Sequence, residues 1–133
     1  MMMSALSTLM LLLLPGTLSE CCGPVPIAVV VENRLQGKTL LTYHTYMPYR
    51  GILLGALKRI RDSNANFTFT YTENLNYGPY LESVNGVAGN TAKHTYWELL
   101  VKTSDGKIMR PDVGIGCYIP SANENIILNF TMY

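Results

Sequence analysis

Two histidines, nine acidic residues and three cysteines hold whatever chemistry this chain could perform. His44 and His94 fall on different predicted strands and share no metal-ligand spacing. Each therefore reads as an ordinary strand residue before a general base or a ligand. The acids are scattered singly, with no pair set for glycoside hydrolysis. Asp105 and Asp112 flank a loop, but a calcium loop needs a denser run of oxygen ligands. No G-x-S-x-G elbow, H-E-x-x-H helix, phosphate loop or dinucleotide fingerprint occurs. The expectation is a protein that is not an enzyme, with no catalytic cofactor and no bound metal. Cys21, Cys22 and Cys117 lack a C-x-x-C spacing, which sets aside a zinc knuckle and a thioredoxin-like site.

The rest of the chain must be read for what positions a binding surface. Its 133 residues, 48% hydrophobic and 14% charged, suit one domain, since two would each have too little core. A net charge of +1 and a pI near 7.7 argue against a nucleic-acid partner, which requires a basic face. No Asp, Glu, Lys or Arg precedes Glu20, and Leu9 to Leu14 is an unbroken apolar run. Pro15 and Gly16 end that run, and Thr17-Leu18-Ser19 offers small residues at signal-peptidase spacing. Residues 1–19 are therefore expected to be a secretory signal. An N-terminal anchor is the alternative, although the run is short of the roughly 20 residues a bilayer needs. The mature domain, residues 20–133, is expected outside the cell and off the membrane.

Asn66-Phe67-Thr68 and Asn129-Phe130-Thr131 are N-glycosylation sequons and agree with export. The odd cysteine count leaves two arrangements open. Cys21 or Cys22 bridges to Cys117 and closes a loop of about 95 residues, worth on the order of 4–5 kcal/mol in the chain-entropy account. The remaining thiol is then free or joins a second molecule.

Val25 to Val31 reads as a strand, Asn33 to Gly37 as a turn, and Lys38 to Tyr46 as its hairpin partner. A helix is expected over about Ile52 to Arg61, with Ile52, Leu53, Ala56, Leu57 and Ile60 on one face. Lys58, Arg59 and Arg61 fall in its expected last turn, where cations suit the dipole. Beyond it the period is two: Phe67 to Thr72, Tyr80 to Val84, Thr95 to Lys102, Cys117 to Ile119 and Ile126 to Phe130 read as strands, with Asn85-Gly86 a turn. The class is α+β, one helix packed on a mostly antiparallel sheet in a β-grasp-like arrangement.

Two stretches combine aromatic rings with turns. Asn76-Tyr77-Gly78-Pro79-Tyr80-Leu81 places two tyrosines beside a Gly-Pro bend, and Thr95-Tyr96-Trp97-Glu98-Leu99-Leu100 holds the one tryptophan. On a strand, Trp97 and Leu99 face one side while Tyr96, Glu98 and Leu100 face the other. Trp97 reads equally as core or as a surface for a large flat ligand. These two blocks, with Tyr118-Ile119-Pro120 and the ending Asn129-Phe130-Thr131-Met132-Tyr133, resemble the small C-terminal β-domain of the vitamin B12 carriers, the family of intrinsic factor, transcobalamin and haptocorrin. The hairpin and helix fall in that family's order.

The resemblance implies a secreted cobalamin carrier-like protein whose ligand is clamped between this domain and a large helical one. It places ligand contacts on Asn76, Tyr77, Gly78, Pro79, Tyr80 and Leu81, and on Trp97, Glu98, Leu99, Leu100 and Val101 onward to about Gly106. A helical carrier domain or a cell-surface receptor is the implied partner besides cobalamin. Against the family's pattern, the Thr103–Val113 loop is longer, Cys117 is unexpected and the helical domain does not fall within these residues. The competing expectation is an extracellular interaction module that keeps the fold without the vitamin.

Overall fold

The structure, a computed structural model, describes residues 23–76 and 78–133. The expected signal segment, Cys21, Cys22 and Tyr77 lie outside the described residues. Two strands open the fold, β1 (Val25–Asn33) and β2 (Lys38–Met47), followed by helix α1 (Leu53–Ser63). Then come β3 (Phe69–Asn74), β4 (Gly78–Val84), β5 (Val87–Ala88), β6 (Thr95–Lys102), β7 (Ile108–Met109) and β8 (Asn125–Met132). The α+β expectation stands, and the strands divide into two sheets. One has five strands in the order β2-β1-β8-β6-β7, the other three in the order β3-β4-β5.

The β1–β8 pair is parallel and every other pair is antiparallel. A first hairpin whose inner strand lies beside the final strand is the β-grasp pattern the sequence suggested. Alternation decides the faces: Val29, Val31, Ile126, Leu128, Phe130, Trp97 and Val101 enter the core from the five-stranded sheet. Leu53, Leu54, Ala56, Leu57 and Ile60 of α1 enter the same core, as helical spacing requires. Phe67, Phe69, Leu81, Val84 and Val87 supply its third side.

Two side chains tie the sheets together. The Trp97 indole Nε1 donates to the Val87 carbonyl at 2.7 Å, and the Tyr43 hydroxyl donates to the Asn66 carbonyl at 3.3 Å. The Asn85-Gly86 turn behaves as read: φ is +50° and +82°, the two positive values a tight two-residue hairpin needs between β4 and β5. The Asn85 side chain accepts from Thr68 N at 2.9 Å and donates to the Tyr43 hydroxyl at 3.2 Å.

Three local expectations are corrected. Cys117–Ile119 is not a strand, because its backbone turns back on Gly114 and supports the helix start. The helix runs two residues further than expected, so Arg61 alone of the three cations sits in its last turn. Lys58 and Arg61 lie over the rings of Tyr71 and Phe69, at 5.3 and 5.6 Å from the centroids, as cation–π partners of β3. His94 is not on a strand; it closes a short 3-10 turn at φ +56°.

Candidate functional site

The first block forms an edge, and the chain builds it from below. Gly78 has φ +78°, a conformation that costs a side-chain-bearing residue energy, and it opens β4 against Asn74 of β3. Pro79 then packs its ring against Gly116 and its carbonyl near Gly114. A Cβ on Gly116 would stand 2.5 Å from Pro79 Cδ, and one on Gly114 3.7 Å from the Pro79 carbonyl. Glycine at 116 is thus what lets the proline ring approach.

That segment is itself held by α1. No side chain caps the helix; instead Leu53 N donates to the Tyr118 carbonyl at 2.8 Å and Leu54 N to the Ile115 carbonyl at 2.9 Å. Ile115 is buried, and the Tyr118 hydroxyl donates to buried Glu124 at 2.7 Å. The carboxylate also accepts from Ser121 N at 3.0 Å. Burial first, then this hydrogen bond and the carboxylate's charge, hold the Tyr118 hydroxyl above the ordinary phenol range.

The result is an open cleft of about 280 Å³ lined by Thr72, Glu73, Asn74, Gly78, Pro79, Tyr80 and Gly114. Tyr80 is exposed, Gly78 and Pro79 half-buried, and Asn76 exposed at the tip of the β3–β4 turn. The volume lies just under the roughly 300–1,000 Å³ typical of enclosing small-molecule pockets.

The second block divides across β6 as alternation requires. Trp97 and Val101 are core, with Trp97 5% exposed and 5.1 Å from the Phe130 ring centroid. Leu99 packs at the core margin. Leu81 of the first block is buried as well. The open-surface alternative for Trp97 is thus corrected. Its ring fills the space between the sheets and its N–H is already used.

Glu98 and Leu100 lie on the opposite face. Glu98 is buried beneath Arg110, with which it pairs, and accepts from Asn129 Nδ2 at 3.2 Å. Tyr96 hydrogen-bonds the same guanidinium, and this contact, with the Glu98 charge, raises the Arg110 pKa further. Sequence reasoning missed Arg110; its spacing from Glu98 carries no local signal. After β6 the chain turns at Thr103–Lys107, where hydrogen bonds from the Thr103 hydroxyl and Lys107 N lower the Asp105 pKa.

The remaining candidates stand apart. Asn66 is exposed just beyond α1, and Asn129 is half-buried on β8. Cys117 is exposed and unbridged among the described residues. His44 is exposed on β2, and His94 meets the Tyr133 ring edge-on at 5.3 Å. Among the described residues no group of three or more His, Cys, Asp or Glu could hold a metal ion, and no helix is long and apolar enough to cross a membrane.

This β-grasp-like domain, with its cleft at the mouth of the smaller sheet, has defined relatives. Residues 52–132 match the family described as a domain of unknown function, DUF4430, and the chain belongs to it. It is homologous to the cobalamin binding intrinsic factor of Mus musculus, 33% identical over 129 residues, covering 90% of this chain and 30% of that protein. The human intrinsic factor is 28% identical over 122 residues, with 28% of its length covered. The chain thus spans less than a third of these relatives. Haptocorrin, solved in complex with Cbi, shares the fold at a TM-score of 0.70 and 21% identity, over 83% of this chain and 25% of that one. A putative metal binding protein from Ruminococcus gnavus shares it at 0.59 and 16%, over 82% and 98%.

Proposed function

We propose that the domain is secreted and offers one face of a cobalamin site, with a second domain covering the other. The observation that carries this reading is the Gly78-Pro79-Tyr80 rim, half-buried except for exposed Tyr80, seated on Gly114–Gly116 and forming an open cleft. Homology to cobalamin binding proteins supports the choice of ligand. Pro79 and Tyr80 meet the corrin edge with Asn76 at the turn tip, and Tyr77 is assigned to the same contact by the resemblance alone. Leu81, Trp97, Leu99 and Val101 act from beneath by fixing the strands, and Glu98 and Leu100 belong to the far face. Exposed Asn66 is one glycan acceptor and Asn129 the other. A glycan at Asn129 leaves one N–H on Nδ2, enough to keep the Glu98 bond. Cys117 is open to a bridge from Cys21 or Cys22.

One face removes only part of a corrin from water, and immobilising the ligand costs several kcal/mol, so affinity alone is about micromolar or weaker. The test is a cobalamin titration followed by absorbance, with and without a separately supplied carrier helical domain. Tyr80→Ala, at an exposed position, is expected to weaken binding by about 1–2 kcal/mol with unchanged circular dichroism. Saturable binding absent from both titrations would overturn the proposal. The second reading, an interaction module without the vitamin, draws on the cleft's small volume and on the burial of Trp97.

A further inference from the structure

Among the described residues the two sheets have four edge strands, and three are protected. β5 and β7 are two residues long, and β7 is bracketed by Lys107 and Arg110. β3 carries Glu73, and its Phe69 and Tyr71 rings lie beneath the Arg61 and Lys58 side chains. Short strands and charges are how sheet edges avoid pairing with other chains.

Among these devices β2 carries only a lysine, Lys38, at its first position. It is ten residues long, and from Thr39 to Met47 it contains no charged residue apart from a titratable His44, no proline and no glycine. β1 covers one side, and among the described residues no strand covers the other. Register against β1, with Tyr43 and Met47 buried, puts Leu40, Thr42, His44 and Tyr46 on the face away from the core. Leu40 is 58% and Tyr46 65% exposed.

We propose that β2 pairs antiparallel with β2 of a second copy about a two-fold axis at Tyr43, making one continuous sheet from two five-stranded ones. This register pairs all nine residues from Thr39 to Met47, where a shift of the axis to Thr42 or His44 pairs only seven of them. Leu40 meets Tyr46 of the other copy twice, an aliphatic–aromatic cross-strand pair, and Thr42 meets His44 twice. A two-fold centred on His44 sets Tyr46 against Thr42 and leaves Leu40 opposite Pro48, which has no N–H to give. Lys38 falls at the strand end, outside the nine paired residues and opposite Pro48 of the other copy. β2 lends no residue to the cleft beside Pro79, so the dimer and the ligand reading stand or fall separately.

The experiment is sedimentation equilibrium of the purified chain under reducing conditions, which removes any disulfide-linked dimer. Wild type is expected to show a concentration-dependent dimer. Leu40→Lys removes the aliphatic–aromatic pair and puts on the edge the residue type that edge strands use against pairing, so it is expected to give monomer, with circular dichroism verifying the fold. Leu40→Lys combined with Tyr46→Glu then restores the dimer. Within one copy these positions are six residues apart on one strand, so rescue reports contact between copies. A wild type that stays monomeric, a dimer indifferent to Leu40→Lys, or failure of the paired charges to restore association would each overturn the proposal.

Discussion

At the scale of single residues, the side chains that look most like ligand contacts divide into those that touch solvent and those that hold the scaffold. Trp97→Ala removes a buried ring and its hydrogen bond to the Val87 carbonyl, so a loss of about 3–5 kcal/mol is expected in urea unfolding. A fall in cobalamin binding by that variant would therefore report unfolding. Tyr118 makes a pH prediction. Its folded pKa is raised, so the protonated phenol contributes stability that is complete below the ordinary value of about 10 and is lost as pH climbs toward the raised one. Thermal melts from neutral to strongly alkaline pH should show Tyr118→Phe less stable at neutrality and declining less steeply above about pH 10. Equal slopes in the two proteins would remove Tyr118 from the alkaline transition.

Among the elements, α1 gives the simplest test. Gly55 is the third residue of α1, with nothing within 4 Å of where its Cβ would be, and its φ is not positive. Gly55→Ala is expected to stabilise by about 0.5–1 kcal/mol, raising Tm by a few degrees in a calorimetric scan. Gly116→Ala acts oppositely. It displaces Pro79, so a loss of about 1–3 kcal/mol with distortion of the cleft is expected by denaturation. How far the sequence revealed these elements follows from what each depends on. The helix was legible because Leu53, Ala56, Leu57 and Ile60 repeat at helical spacing, and β6 and β8 because apolar residues alternate. The sidedness of Trp97 was legible too, but not which side was core, since Leu100 and Ile127 make the far face partly apolar. Cys117–Ile119 misled because its residue types favour strands while its carbonyls serve a helix distant in sequence. The Pro79–Gly116 contact and the Glu98–Arg110 pair join positions whose proximity no local pattern encodes.

For the molecule as a whole, the five-stranded sheet determines what opens last. β8 lies between β1 and β6, and Ile126 and Leu128 have no exposure. Its amides from Ile126 to Phe130 are expected to exchange with deuterium only through global unfolding, those of β5 and β7 much sooner. Exchange of β8 at the rate of the short edge strands would contradict the arrangement. The parallel β1–β8 pair also has a bearing on synthesis. β1 is made early, yet its neighbour in the sheet comes about a hundred residues later, a long loop to close before the contact stabilises anything. Until β8 leaves the ribosome, β1 has its hairpin partner on one side and an open, apolar edge on the other. A nascent chain interrupted before Asn125 would thus carry nearly all the core residues and no means of closing them. Such a chain is one that chaperones would retain, whatever the finished domain goes on to bind.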